Sequence, residues 1–247
     1  MPVRKLFVTL SFLLLFTACQ KKMYLNERKA DTYPITAALP RDGSILRFLQ
    51  PYKIGVDTQM QAVIGSTDIM LTKAQPESSL GNFIADAQLE GARKIDPGVD
   101  ISIMNYGGIR LSYMVPGTIT KGKLYELMPF DNMLTIVEIP GSVVREFCDF
   151  MAQAKGWPVS GLKFVIKDKK ATDILVNGKP LNEHLVYKMA ISDYIAKGGD
   201  NCDFLSPLKK RFTSVFVRDA MIDYVMRLQS ENKPLHPEVE NRVTYAE

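Results

Sequence analysis

The chain has 247 residues, 46% of them hydrophobic, with 31 basic and 27 acidic side chains and a formal charge of +4. Arg4 and Lys5 sit in the first apolar segment, and without them the balance is +2, which gives no basic footprint for nucleic acid. Two histidines and three cysteines leave few ligands for a self-contained metal centre.

Arg4 and Lys5 precede the apolar run from Leu6 to Phe16, which ends at Thr17-Ala18-Cys19. A basic start, a short apolar stretch and small residues before a cut site describe a secretory signal over residues 1–18. Leu15-Phe16-Thr17-Ala18-Cys19 resembles a bacterial lipobox, in which Cys19 becomes the acylated first residue of the mature protein. The expected location is therefore the bacterial cell envelope, lipid-anchored and facing the periplasm or the surface. Residues 19–41 are polar and without sustained periodicity, as in a tether. Residues 42–247 suit one folded domain with a full core.

Asp42-Gly43-Ser44 marks a helix start, followed by Ile45, Leu46, Phe48 and Leu49. Pro51 either kinks this helix or begins the next, which runs to about Ile64. Alternation from Ser66 to Lys73 predicts a strand. Leu80, Phe83, Ile84, Ala87, Gly91, Ala92 and Ile95 predict an amphipathic helix closed by Asp96-Pro97-Gly98. A strand over 100–104 follows, then a short strand over 118–120, with Thr120 capping a helix over 121–127. Residues 134–139 read as a strand. Residues 141–154 read as a helix with Val143, Val144, Phe147, Phe150 and Met151 inward. Strands at 163–166 and 173–176 precede the hairpin signal Asn177-Gly178, and another strand spans 186–191. A late helix is expected over 214–228, with Val217, Met221, Val225 and Leu228 on one face. Hairpins mixed with strand–helix alternation favour an α+β fold, a single domain with a mixed sheet flanked by helices. Cys148 falls in a helix, where a free buried thiol is expected rather than a disulfide with Cys202.

Familiar catalytic patterns are missing from the sequence. Neither His184 nor His236 belongs to a metal-ligand motif, and no nucleophile elbow, phosphate loop or dinucleotide fingerprint is present. Three loops remain. Asn105-Tyr106-Gly107-Gly108-Ile109-Arg110 follows an apolar strand, and paired glycines there allow close backbone approach and positive φ. Asn105 offers a donor and an acceptor, and Arg110 a planar fork for phosphate or carboxylate. A plain turn after a strand would carry the same glycines. The second loop, Leu127-Met128-Pro129-Phe130-Asp131-Asn132, sets Phe130 either in the core or in an exposed place. The third, from Ser192 to Asn201, repeats a glycine pair beside Asp200. Aromatic rings on two loops can sandwich a flat base, and a carboxylate can accept from ribose hydroxyls.

In this order the loops resemble the C-terminal, substrate-binding domain of the 5′-nucleotidase family, which includes UDP-sugar hydrolases and 2′,3′-cyclic-nucleotide phosphodiesterases. Asn105–Arg110 resembles the family's Asn-x-Gly-Gly-Ile-Arg, and Pro129–Asn132 its Pro-Phe-x-Asn. Tyr194 to Asp200 resembles its aromatic followed six positions on by the aspartate of Gly-Gly-Asp. Pro51-Tyr52-Lys53 and Val63-Ile64-Gly65 resemble its linker helix and first strand, and Leu80-Gly81-Asn82-Phe83-Ile84-Ala85-Asp86-Ala87 its Leu-Gly-Asn helix start. The resemblance runs from about residue 45 to the end of the chain.

It implies that Phe130 and Tyr194 stack on the base, that Asn105 and Asn132 contact it, that Arg110 meets phosphate, and that Asp200 meets ribose. Gly107 and Gly108 complete that substrate-binding set, and no catalytic or metal-binding residue is assigned. Two departures stand out. Ala74 and Gln75 occupy the place of a family arginine, and the tether stands where the family's dimetal phosphoesterase domain would be. The implied function is a membrane-anchored nucleotide- or nucleoside-binding subunit of a split 5′-nucleotidase. No cofactor is expected in this chain, and a separate metallophosphoesterase chain would carry the divalent metals. A stand-alone nucleoside-binding lipoprotein and a degenerate interaction domain are the alternatives.

Overall fold

The computed structural model describes residues 29–36 and 39–246. The signal-peptide and Cys19 lipidation expectations lie outside those residues, as does part of the tether. The chain divides into two units, residues 1–48 and 49–247, and among the described residues every strand belongs to the second.

Helix α1 (Gly43–Met60) opens where expected, with the Asp42 carboxylate accepting from Ser44 N at 2.8 Å and Ile45 N at 3.2 Å. Pro51 lies inside this one helix and starts no second one. No residue of α1 is buried, so water can serve the carbonyl that the proline leaves unpaired. The helix stops at Met60, short of the expected Ile64, because Val63 and Ile64 belong to β1 (Val63–Thr67). That strand pairs antiparallel with Gly117–Thr120. The single strand expected over 66–73 is likewise broken: β2 is only Leu71–Thr72, and Thr67 Oγ1 donates to the Ile69 carbonyl in the intervening bend.

Helix α2 (Ser79–Ile95) follows its predicted amphipathic pattern, capped by the Ser78 hydroxyl. Next come β3 (Ile101–Ile103), β4 (Tyr113–Met114) and β5 (Gly117–Thr120). Thr120 Oγ1 accepts from Lys123 N at 3.2 Å and begins α3 (Lys121–Leu127), as the sequence predicts. β6 (Met133–Pro140) runs straight into α4 (Gly141–Gln153). Val144, Phe147 and Met151 of α4 are fully inward, while Val143 and Phe150 are only partly covered. β7 (Val159–Ser160), β8 (Leu162–Lys167), β9 (Lys170–Val176) and β10 (Lys179–Pro180) follow, the last two joined at Asn177-Gly178. Both turn residues have positive φ, 48° and 76°, as a tight hairpin requires. β11 (Val186–Ser192) leads into the short α5 (Asp193–Ala196), then come β12 (Lys210–Phe216), α6 (Val217–Ser230) and β13 (Val243–Tyr245). Residues 214–216, expected in the late helix, are therefore strand. Thr213 Oγ1 donates to the Leu134 carbonyl and Phe216 pairs with Met133, and these cross-strand bonds override the helical spacing.

The central sheet has the order β12-β6-β11-β3-β7 and is mixed, with β11 parallel to β3 and the other pairs antiparallel. A second sheet, β10-β9-β8-β13, is also mixed, with β13 parallel to β8. Period-2 alternation divides the central sheet's faces. Ile101, Ile103, Val137, Ile139, Met189 and Ile191 share one core with α4 and the second sheet. Leu134, Ile136 and Ala190 face the other way, with Leu89 and Ala92 of α2 and Val217 of α6. The buried Gln88 amide ties α2 to the sheet by donating to Ser102 Oγ, the Ile103 carbonyl and the Ala190 carbonyl at 2.8–3.1 Å. The architecture is thus α+β with mixed sheets flanked by helices. Cys148 and Cys202 are free and buried, and burial raises both thiols, that of Cys202 to about 12.

Candidate functional site

All eight residues singled out in the three loops line one cleft of about 410 Å³: Asn105, Gly107, Gly108, Arg110, Phe130, Asn132, Tyr194 and Asp200. Each loop leaves the end of a regular element, so a rigid scaffold sets the position of each side chain.

Beyond β3 the chain makes a 3-10 turn over Tyr106–Gly108, with Gly108 N donating to the Asn105 carbonyl at 3.0 Å. Neither Gly107 nor Gly108 takes the positive φ that the sequence allows, since the turn keeps both in the right-handed region. At Gly108 the need is room: it is buried, and a side chain there would collide with Met104 Cε and Asn105 Oδ1. Gly107 is exposed, and a side chain there would begin at ordinary contact distance, 4.0 Å, from Asn105 Nδ2 and Asp200 Oδ2. Arg110 N donates to the Leu127 carbonyl at 3.0 Å, which joins this loop to the second. The Arg110 guanidinium is exposed and lies 5.7 Å from the Phe130 ring centroid. Lys73 stands behind the same loop. Its ammonium donates to the Ile109 carbonyl at 2.8 Å and lies 4.1 Å from the Tyr106 ring centroid. Burial, and after it the Arg110 charge, holds this ammonium below its ordinary pKa.

Phe130 is 36% exposed, so the core alternative for it does not hold. Its loop is held from behind by Arg218, the second residue of α6. The buried guanidinium donates to the Met128 and Phe130 carbonyls at 3.2 and 3.1 Å and to Asp131 Oδ1 at 2.7 Å. Its other side rests on Tyr125, 3.9 Å from the ring centroid. Val217 N donates to the Asn132 carbonyl, and Met133 N to Asp193 Oδ1, which links the second loop to the third. Neither Arg218 nor Asp193 stands out in the sequence. A helix expected from residue 214 places Arg218 inside an ordinary amphipathic run rather than at the helix start, beside Asn132.

In the third loop, Ser192 caps α5 and positions Tyr194, which is 46% exposed. The Tyr194 hydroxyl donates to Asp200 Oδ1 at 2.8 Å and accepts from Asp200 N at 3.3 Å. The bond to Asp200 raises the Tyr194 pKa, so the hydroxyl remains a donor throughout the neutral range. Asn105 Nδ2 donates to the other carboxylate oxygen, Asp200 Oδ2, at 2.7 Å. Asn105 is buried, and with its amide donor engaged on Asp200 it fixes that carboxylate from below. The buried Asn105 Oδ1 has no hydrogen-bond partner among the described residues.

The cleft thus combines two exposed rings, an exposed guanidinium and a braced carboxylate. Such a site can grip a flat, polar, anionic molecule. Among the described residues no group of three or more His, Cys, Asp or Glu side chains could hold a metal ion. His184 and His236 are exposed, and His236 is bonded to Asp68. The donors of the described residues therefore do not fit a dimetal centre.

Residues 56–207 match the family described as 5′-nucleotidase, C-terminal domain. Protein UshA of Escherichia coli (strain K12) is 26% identical over 193 residues, covering 73% of this chain and 34% of UshA. Cell wall protein Lmo0130 of Listeria monocytogenes is 30% identical over 188 residues, covering 68% of this chain and 24% of that protein. The chain spans about a third or less of these relatives' length. Among solved structures, the 5′-nucleotidase precursor from Thermus thermophilus superposes with a TM-score of 0.69 at 26% identity. That match covers 82% of this chain and 42% of the precursor. By fold, by loop pattern and by these matches, the chain belongs to the family of 5′-nucleotidase C-terminal domains.

Proposed function

We propose that this chain is the nucleotide- or nucleoside-binding part of a split 5′-nucleotidase. Phe130 and Tyr194 stack on the base, Asp200 accepts from the ribose hydroxyls, and Arg110 meets the phosphate. Asn132 is a further polar contact to the base, and Asn105 acts beside it chiefly by holding Asp200. The observation that carries this reading is the convergence of all eight residues on one cleft from three separate loops. A separate metallophosphoesterase chain supplies the divalent metals and the attacking water, and this chain contributes orientation of the substrate. An acylated Cys19 places the pair at the bacterial envelope.

The purified chain alone is expected to release no phosphate from AMP with any added divalent metal, and a metallophosphoesterase is expected to co-purify with it from its host. AMP hydrolysis by the pure chain at rates typical of enzymes would contradict the division of labour.

A further inference from the structure

Base stacking asks only for the ring of Tyr194, yet the structure gives its hydroxyl a separate task. Asp200 sits in a left-handed backbone conformation, with φ at 53°. A non-glycine residue holds that conformation only when its surroundings over-determine it. Those surroundings are the reciprocal pair with Tyr194, O–H to Oδ1 and Asp200 N to Oη, and the Asn105 amide on Oδ2. A carboxylate has about four lone-pair sites, and two are taken here, one on each oxygen. One remains on each oxygen, the arrangement that two neighbouring hydroxyls can satisfy together. The ring is anchored independently. It lies flat on Gly199, where a side-chain carbon would come within 2.6–2.7 Å of three ring atoms. One face of Tyr194 is therefore covered by backbone, and the ring keeps its place whether or not its hydroxyl is bonded.

We propose that the Tyr194 hydroxyl sets the discrimination between ligands with a vicinal cis-diol and ligands without one, by holding the Asp200 carboxylate in register with the stacked base. The inference rests on the reading of this cleft as a nucleoside site. It makes the preferred substrates ribonucleosides and ribonucleotides, with deoxyribose forms rejected. Tyr194 stacks through its ring and acts as a positioning residue through its oxygen. The two functions separate in Tyr194→Phe, which keeps the first and removes the second.

The test is calorimetric titration of adenosine, 2′-deoxyadenosine and 3′-deoxyadenosine against wild type, Tyr194→Phe and Asp200→Asn. Wild type is expected to prefer adenosine over either deoxy form by about tenfold or more, as hydrogen bonds to a charged acceptor do. Tyr194→Phe is expected to shrink that ratio to about threefold or less, and Asp200→Asn to shrink it likewise. A wild-type protein that binds all three equally overturns the inference, as does Tyr194→Phe with an undiminished ratio. Asp200→Asn serves in the same way should the phenylalanine variant fail to fold, and an undiminished ratio there also overturns it. Absence of any nucleoside binding to wild type is a different result. It removes the nucleoside reading, and this inference with it.

Discussion

Arg218→Ala is expected to weaken adenosine binding by about tenfold or more and to lower stability by about 2–5 kcal/mol, although Arg218 lines no part of the cleft. Its guanidinium donates to the Met128 and Phe130 carbonyls and to Asp131, and it rests on Tyr125. The bond to Asp131 contributes least, because that carboxylate is 78% exposed and water screens it. The two carbonyls matter more. Each loses its buried donor, at about 1–3 kcal/mol apiece, and the loop that carries Phe130 loses the support that fixes its ring. Arg218→Lys keeps the charge but offers no planar fork, so it should restore stability in part and affinity less. Thermal melts and adenosine titrations on the same samples separate the two effects. A folded Arg218→Ala protein with wild-type affinity would show that the Phe130 loop holds itself.

The second large effect concerns stability alone. Arg242→Ala is expected to cost about 3–5 kcal/mol, a fall in Tm of roughly 10 °C for a domain of this size. Arg242 is 8% exposed and grips Asp86 through both terminal nitrogens at 2.7 and 2.8 Å. It also donates to the Val159 carbonyl and to Glu240. Asp86 accepts in addition from Ser160 Oγ, and nearby Glu77 accepts from Asn82 and from the backbone of Glu240 and Arg242. The network fastens the C-terminal segment with β13 to α2 and β7. Removing the arginine leaves Asp86 without its cation and a void beneath the segment. Denaturant unfolding that gives a loss below about 1 kcal/mol would show the network to be dispensable.

That network also shows which sequence signals are legible and which are not. Leu80-Gly81-Asn82 and Asp86 read as a family signature, and the structure gives Asn82 and Asp86 a fastening role far along the chain from the segment they hold. Local chemistry announces itself well. Asp42, Thr120 and Asn177-Gly178 each act through neighbours within a few residues, so the sequence alone identifies those helix starts and the hairpin. Pairing partners do not. β12 replaces the expected first turn of the late helix because its bonds run to β6, some eighty residues away. Two-residue strands such as β2, β4 and β7 carry too little pattern to be seen. The cleft is legible because its residues lie in short loops of distinctive composition. Arg218 is not, because nothing around it in the sequence reveals that the Phe130 loop lies against it.

The central claim is that the cleft holds a nucleoside base between Phe130 and Tyr194. Titration of adenosine into wild type, Phe130→Ala and Tyr194→Ala tests it most directly. Saturable binding to wild type, weakened about tenfold in each variant, is the predicted result, since stacking on one aromatic ring contributes about 1–3 kcal/mol per base. Adenosine affinity that is the same in all three proteins would contradict it.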